Sequence, residues 1–78
     1  MTKTVLGIEG MACGMCEAHV NDAIRRAFPV KKVKATRRKK RCEIISEAPL
    51  AEAALRAAVA ATGYELTSID VMQHKGLL

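Results

Sequence analysis

Hydrophobic and polar positions change period four times along this chain, and each change marks the boundary of an element. Thr4 to Ile8 is a short β-branched and apolar run bounded by Gly7 and Gly10, which predicts a strand entering a glycine-loosened loop. From Cys16 the period becomes helical. Cys16, Val20, Ala23, Ile24 and Ala27 share one face, with Glu17, Asn21, Asp22, Arg25 and Arg26 on the outer face, until Pro29 ends the run. Val30, Val33 and Ala35 then interleave with lysines through Thr36. Cys42, Ile44 and Ser46 alternate with Glu43, Ile45 and Glu47, so the two runs read as a hairpin, although its turn lacks the usual Gly or Asn. Pro49 suits a first helical turn, and Leu50 to Thr62 is an Ala-rich helix with Ala51, Leu55, Ala58, Val59 and Thr62 on one face. Gly63 is its natural stop. Leu66, Ser68 and Asp70 alternate with Thr67, Ile69 and Val71 in a last strand, followed by a polar tail from Gln73.

Strand, helix, strand, strand, helix, strand is the split βαβ order, an α+β ferredoxin-like βαββαβ fold. It predicts a four-stranded antiparallel sheet of order 4-1-3-2 with both helices on one face. One domain over residues 1–72 and a short tail at 73–78 account for the chain. The strand directions bring three connections to one end: the 9–15 loop, the 36–41 hairpin and the 63–64 turn. Function is expected there.

Composition narrows the reading. With 78 residues there is one core and no separate catalytic lobe. Aromatics are 3% and Trp is absent, so that core is aliphatic. Charge is uneven: Lys31 to Arg41 holds eight of the thirteen cations and no acid, leaving five cations against eight acids elsewhere. A local basic patch on a mildly acidic body calls for an acidic partner surface, nucleic acid or anionic lipid. Without interleaved aromatics or a reading helix, nucleic acid is not the expected partner. No window reaches the length of a membrane span, and the first ten residues lack a signal-like apolar region. Three cysteines cannot all pair within one chain. A reducing, cytoplasmic setting is therefore expected.

The chemistry lies in Met11-Ala12-Cys13-Gly14-Met15-Cys16, a C-x-x-C spread across a loop and the first turn of a helix. Two thiols so spaced converge on one small object, and the positive end of the helix favours the thiolate, which is both nucleophile and metal ligand. A metal ion, a disulfide or nothing would fit between them. A soft ion such as Cu(I) is satisfied by two or three thiolates, whereas structural Zn(II) takes four ligands; two cysteines on a glycine loop suit the former. His19, three residues after Cys16, and Cys42, at the start of the third strand, are additional candidate ligands. With Cys13 and Cys16 they would make a four-ligand zinc site. The bland reading is a solvated His19 and a Cys42 that is a small core residue. Met15 offers a thioether but reads as exposed; Met11 reads as packing.

Gly10-Met11-Ala12-Cys13-Gly14-Met15-Cys16, then Val20, with Gly63-Tyr64 further on, resembles the heavy-metal-associated domain over roughly residues 3–71. That family includes bacterial copper chaperones, copper-ATPase N-terminal domains and mercury-binding periplasmic proteins. The resemblance implies the same ferredoxin-like fold and metal ligation by Cys13 and Cys16. It further implies a buried Met11 bracing the loop and a Tyr64 that covers the site. The expected function is a non-enzymatic Cu(I) metallochaperone, less readily a Zn(II), Cd(II) or Hg(II) module. Its expected partner is the soluble metal-binding domain of a P-type metal ATPase or a similar acceptor with an acidic face, docked by Arg37, Arg38, Lys39, Lys40 and Arg41. The apo chain is expected as a monomer, and facing C-x-x-C loops also offer a metal-bridged dimer. The enzymatic rival is a small glutaredoxin-like dithiol oxidoreductase. That fold places a cis-proline before a later strand, opposite the thiols, a position that neither Pro29 nor Pro49 occupies.

Overall fold

A computed structural model describes residues 2–12 and 14–73. Cys13 and the tail at 74–78 therefore lie outside the described residues. The elements are β1 (Thr2–Glu9), α1 (Gly14–Ala27), β2 (Lys32–Thr36), β3 (Arg41–Ser46), α2 (Glu52–Thr62) and β4 (Glu65–Gln73). The sheet runs β2-β3-β1-β4, every pair antiparallel, which is the order expected from the sequence.

Alternation decides what is buried. Thr2, Thr4, Leu6 and Ile8 of β1, Cys42, Ile44 and Ser46 of β3, and Val33 and Ala35 of β2 turn to the helical side. Val20 and Ile24 of α1 and Leu55 and Val59 of α2 close over them, so both helices occupy one face. Removing these aliphatic side chains from water, at ~25 cal/mol per Å² of apolar surface, is the main force holding two layers together.

Several local expectations need correcting. First, α2 starts at Glu52 rather than Leu50, because Ala51 has an extended backbone (φ −67°, ψ 130°) and its carbonyl accepts the first helical bond, from Leu55 N–H at 3.0 Å. Pro49 thus precedes the helix instead of sitting in its first turn. Second, α1 begins at Gly14, two residues before the apolar period becomes visible. Third, β4 continues through Gln73, which pairs with Thr2, so Gln73 is not yet tail. Fourth, strict alternation puts Leu66 and Ile69 on opposite faces, yet both pack against the core. A bulge explains this: Gly7 pairs with Ser68 but Ile8 pairs with Leu66, so Thr67 is an extra residue and the pleat changes phase there.

The hairpin turn solves its lack of glycine with Lys40, which takes the left-handed conformation itself (φ 54°) while its N–H donates to the Arg37 carbonyl at 3.2 Å. Its own carbonyl accepts from Ile8 N–H at 2.9 Å, pinning the turn to the end of β1. Glu17 and Asn21 also depart from expectation. Instead of facing outward, they reach the edge strand β2: Ala35 N–H donates to Asn21 Oδ1 at 2.8 Å and Arg37 N–H to Glu17 Oε2 at 2.6 Å. Donors of the edge strand are thereby satisfied by a helix lying alongside it. Among the described residues no helix is long and apolar enough to cross a membrane.

Candidate metal centre

The loop after β1 is shaped at Gly10. Its φ of +104° is a conformation that L side chains rarely adopt, and a Cβ there would come within 3.2 Å of Tyr64 Cδ1. Tyr64 follows Gly63, whose φ of +88° and N–H bond to the Ala60 carbonyl end α2. Two glycines with positive φ thus bring the β1–α1 loop and the α2–β4 turn against one another. The half-buried Tyr64 ring packs on the core and meets His19 edge-to-face, with ring centroids 5.9 Å apart. Tyr64 therefore spans from the loop entry to the second turn of α1.

Met11 is partly buried and packs against the core, less deeply than the buried residue the resemblance implies. Met15 is 83% exposed, on the side expected for it. Cys16 is half-buried in the first turn of α1, among the N–H groups at the helix start, where a thiolate or an anion is favoured. Gly14 faces the hairpin: a Cβ on it would lie 3.7 Å from Arg37 Nη1. The guanidinium of Arg37 thus stands beside the start of α1, while Arg38, Lys39, Lys40 and Arg41 are exposed around the turn.

His19 is exposed on α1, with Tyr64 as its ring neighbour. Cys42 is fully buried in the core cluster between Leu6 of β1 and Ala35 of β2, and burial, with Glu43 adding a smaller push, raises its thiol to about 12. Such a thiol stays protonated at neutral pH and is a poor ligand. Among the described residues no three His, Cys, Asp or Glu side chains come together to hold a metal, so Cys16, His19 and Cys42 are not one cluster. The structure assigns Cys42 to packing and places His19 against Tyr64.

Sequence reasoning missed the ties between α1 and β2. Their signal is a spacing: Glu17 and Asn21 lie four residues apart on a helix, roughly 6 Å, and Ala35 and Arg37 two apart on a strand, roughly 7 Å. The match is meaningful only once the helix is known to flank that edge.

No family model matches the chain. Solved structures do. The CopZ metallochaperone superposes with a TM-score of 0.74 at 21% identity, over 83% of this chain and 98% of its own. A copper binding domain from a P-type ATPase gives 0.75 at 20% identity, over 96% and 99% of the two chains. The Zn(II) form of the ZntA N-terminal domain gives 0.74 at 23% identity, over 85% and 89%.

Proposed function

The fold is that of the heavy-metal-associated domain proteins, and from this premise we propose that the chain is a soft-metal carrier, a Cu(I) chaperone whose two ligands are Cys13 and Cys16. The observation that carries the reading is the position of Cys16. It stands half-buried in the first turn of α1, three residues after a second cysteine, at the end of the fold where Gly10 and Tyr64 set the loop. Two thiolates satisfy Cu(I) and leave room for a third. Transfer follows by ligand exchange. A partner thiolate adds to the ion, a three-coordinate intermediate forms, and one of Cys13 or Cys16 then departs and takes a proton from solvent; a second partner thiolate displaces the other in the same way. No electron moves in this exchange, and no ligand need be lost before another is gained.

The acceptor in this reading is a soluble metal-binding domain of a P-type metal ATPase, or a similar protein, with an acidic face. The exposed cations from Arg37 to Arg41 support it, because they flank the start of α1 and steer an anionic surface toward the cargo. Met11 braces the loop from within and Tyr64 covers it. The setting is the reducing cytoplasm, where both thiols stay available.

Zinc bound through His19 and Cys42 is disfavoured by the burial of Cys42 and its raised thiol. A dithiol oxidoreductase is disfavoured by proline placement: Pro29 shares a depression with Ala48 and Leu50 at the end of the fold away from Cys16, and Pro49 adjoins it. The chain is therefore read as a carrier and not an enzyme.

The test is an anaerobic titration of reduced protein with Cu(I) and with Zn(II) against competing chelators, repeated on Cys13→Ser, His19→Ala and Cys42→Ser. One tightly held Cu(I) per chain, weakened by orders of magnitude in Cys13→Ser and unchanged in the other two, is expected. Tight Zn(II) that needs all three residues would replace this reading with a zinc site.

A further inference from the structure

The sheet face turned away from the helices is ordered in cross-strand rows. One row sets Arg41 of β3, Gly7 of β1 and Ser68 of β4 side by side. The next holds Lys34, Glu43, Val5 and Asp70. At the first row the bulge in β4 delivers two consecutive hydroxyls over Gly7, so that a Cβ on Gly7 would collide with both Thr67 Oγ1 and Ser68 Oγ. Gly7 is thus part of the floor of an open depression of about 400 Å³, with Lys39, Lys40 and Arg41 at its hairpin end.

The groups around Gly7 are uncommitted. Neither hydroxyl is hydrogen-bonded within the described residues, and neither Lys39 nor Arg41 carries an ion pair among them. Lys40 lies 3.4 Å from Glu9. Two hydroxyl donors packed over Gly7, with Arg41 in the same row and Lys39 lining the same depression, form a donor set suited to phosphate oxygens.

The second row decides what kind of phosphate. It lies two residues along the strands, roughly 7 Å away, and presents Glu43 and Asp70, of which Glu43 is 3.7 Å from Lys3. An extended run of phosphates, as on a nucleic acid or an anionic membrane, would meet these carboxylates. A single compact group fits within the first row, at the hairpin end of a depression whose other end Glu43 and Asp70 line. We propose that Gly7, Thr67, Ser68, Arg41 and Lys39 form a site for one compact phosphate group, free or esterified in a small molecule. The site opens on the face opposite α1, so its occupant leaves Cys16 uncovered. It is independent of the metal reading.

Amide spectra of the reduced, metal-free chain settle the matter, titrated with inorganic phosphate and with chloride at matched ionic strength. Saturable shifts at Gly7, Thr67, Ser68 and Arg41 with phosphate but not chloride are expected. The double variant Thr67→Val, Ser68→Ala changes two exposed side chains and should bind phosphate roughly ten-fold more weakly. Equal shifts with chloride, shifts confined to the hairpin lysines, or a variant that binds as well as the parent each overturn the site. Phosphatidylcholine vesicles with and without phosphatidylglycerol form the last arm. Binding to anionic vesicles without any response to phosphate would make this face an extended anion-docking surface and the compact site wrong.

Discussion

The first turn of α1 and the start of β3 each carry a cysteine, and the two thiols have opposite properties. Cys16 begins the apolar stripe of a helix, yet lies half-buried at its open end beside exposed Met15. Cys42 alternates with Ile44 on a strand flanked on both sides, is fully buried, and has its thiol pushed up to about 12. Position within the element makes the difference. A helix start supplies unpaired N–H groups that favour negative charge, whereas a buried position on a strand paired on both edges removes water. A cysteine count therefore says little about chemistry until each residue is placed.

The largest test of this contrast exchanges the two effects. Cys42→Ser buries a hydroxyl among aliphatic side chains and should lower unfolding stability by about 2 kcal/mol, with Cu(I) affinity unchanged. Cys16→Ser should do the reverse, abolishing tight Cu(I) binding while shifting stability by less than about 0.5 kcal/mol. Urea unfolding of metal-free protein and chelator competition read the two quantities separately. If Cys16→Ser were the more destabilising variant, the first turn of α1 would be a packing site and the contrast would be lost.

A second effect, confined to alkali, follows from the same contrast. The folded state holds the Cys42 proton up to about pH 12, above the usual thiol value of 9.0, so the unfolded chain ionises first as pH rises. Stability from this residue is complete below pH 9 and is lost as pH climbs toward 12, at up to about 1.4 kcal/mol per unit. Cys42→Ala lacks that group and should decline less steeply over the same interval. Parallel curves for parent and variant would mean that the thiol ionises alike in both states.

Much of this contrast was legible in the chain. The switch from period 2 to helical period and back predicts all six elements and the strand order, because each element buries one face. The C-x-x-C spacing singles out Cys13 and Cys16, and alternation with Ile44 already favours a packing role for Cys42. What stayed hidden depends on neighbours distant in sequence. Glu17 and Asn21 look solvated on a helical wheel, since the need they meet belongs to β2. Leu66 and Ile69 look opposed until the bulge at Thr67 is known, and the Gly7 depression follows from that same register shift. His19 reads as a ligand candidate because its contact, Tyr64, arrives from the other end of the chain.

The smallest effect distinguishes how the two cysteine-bearing elements are held. β3 is gripped by apolar packing and paired on both edges, but α1 also relies on two polar ties to the rim of the sheet. Asn21→Ala leaves the Ala35 N–H in a partly buried position without its acceptor and should cost about 1 kcal/mol. Glu17→Ala frees the Arg37 N–H where water can replace the carboxylate, so a few tenths of a kcal/mol are expected. Amide exchange gives the sharper reading. Protection should fall at Ala35 in the first variant and at Arg37 in the second, with the Cys42 amide unchanged in both. Loss of protection spreading into β3 would show that α1 and β3 open as one unit, and that the thiol at the helix start shares the rigidity of the one in the core.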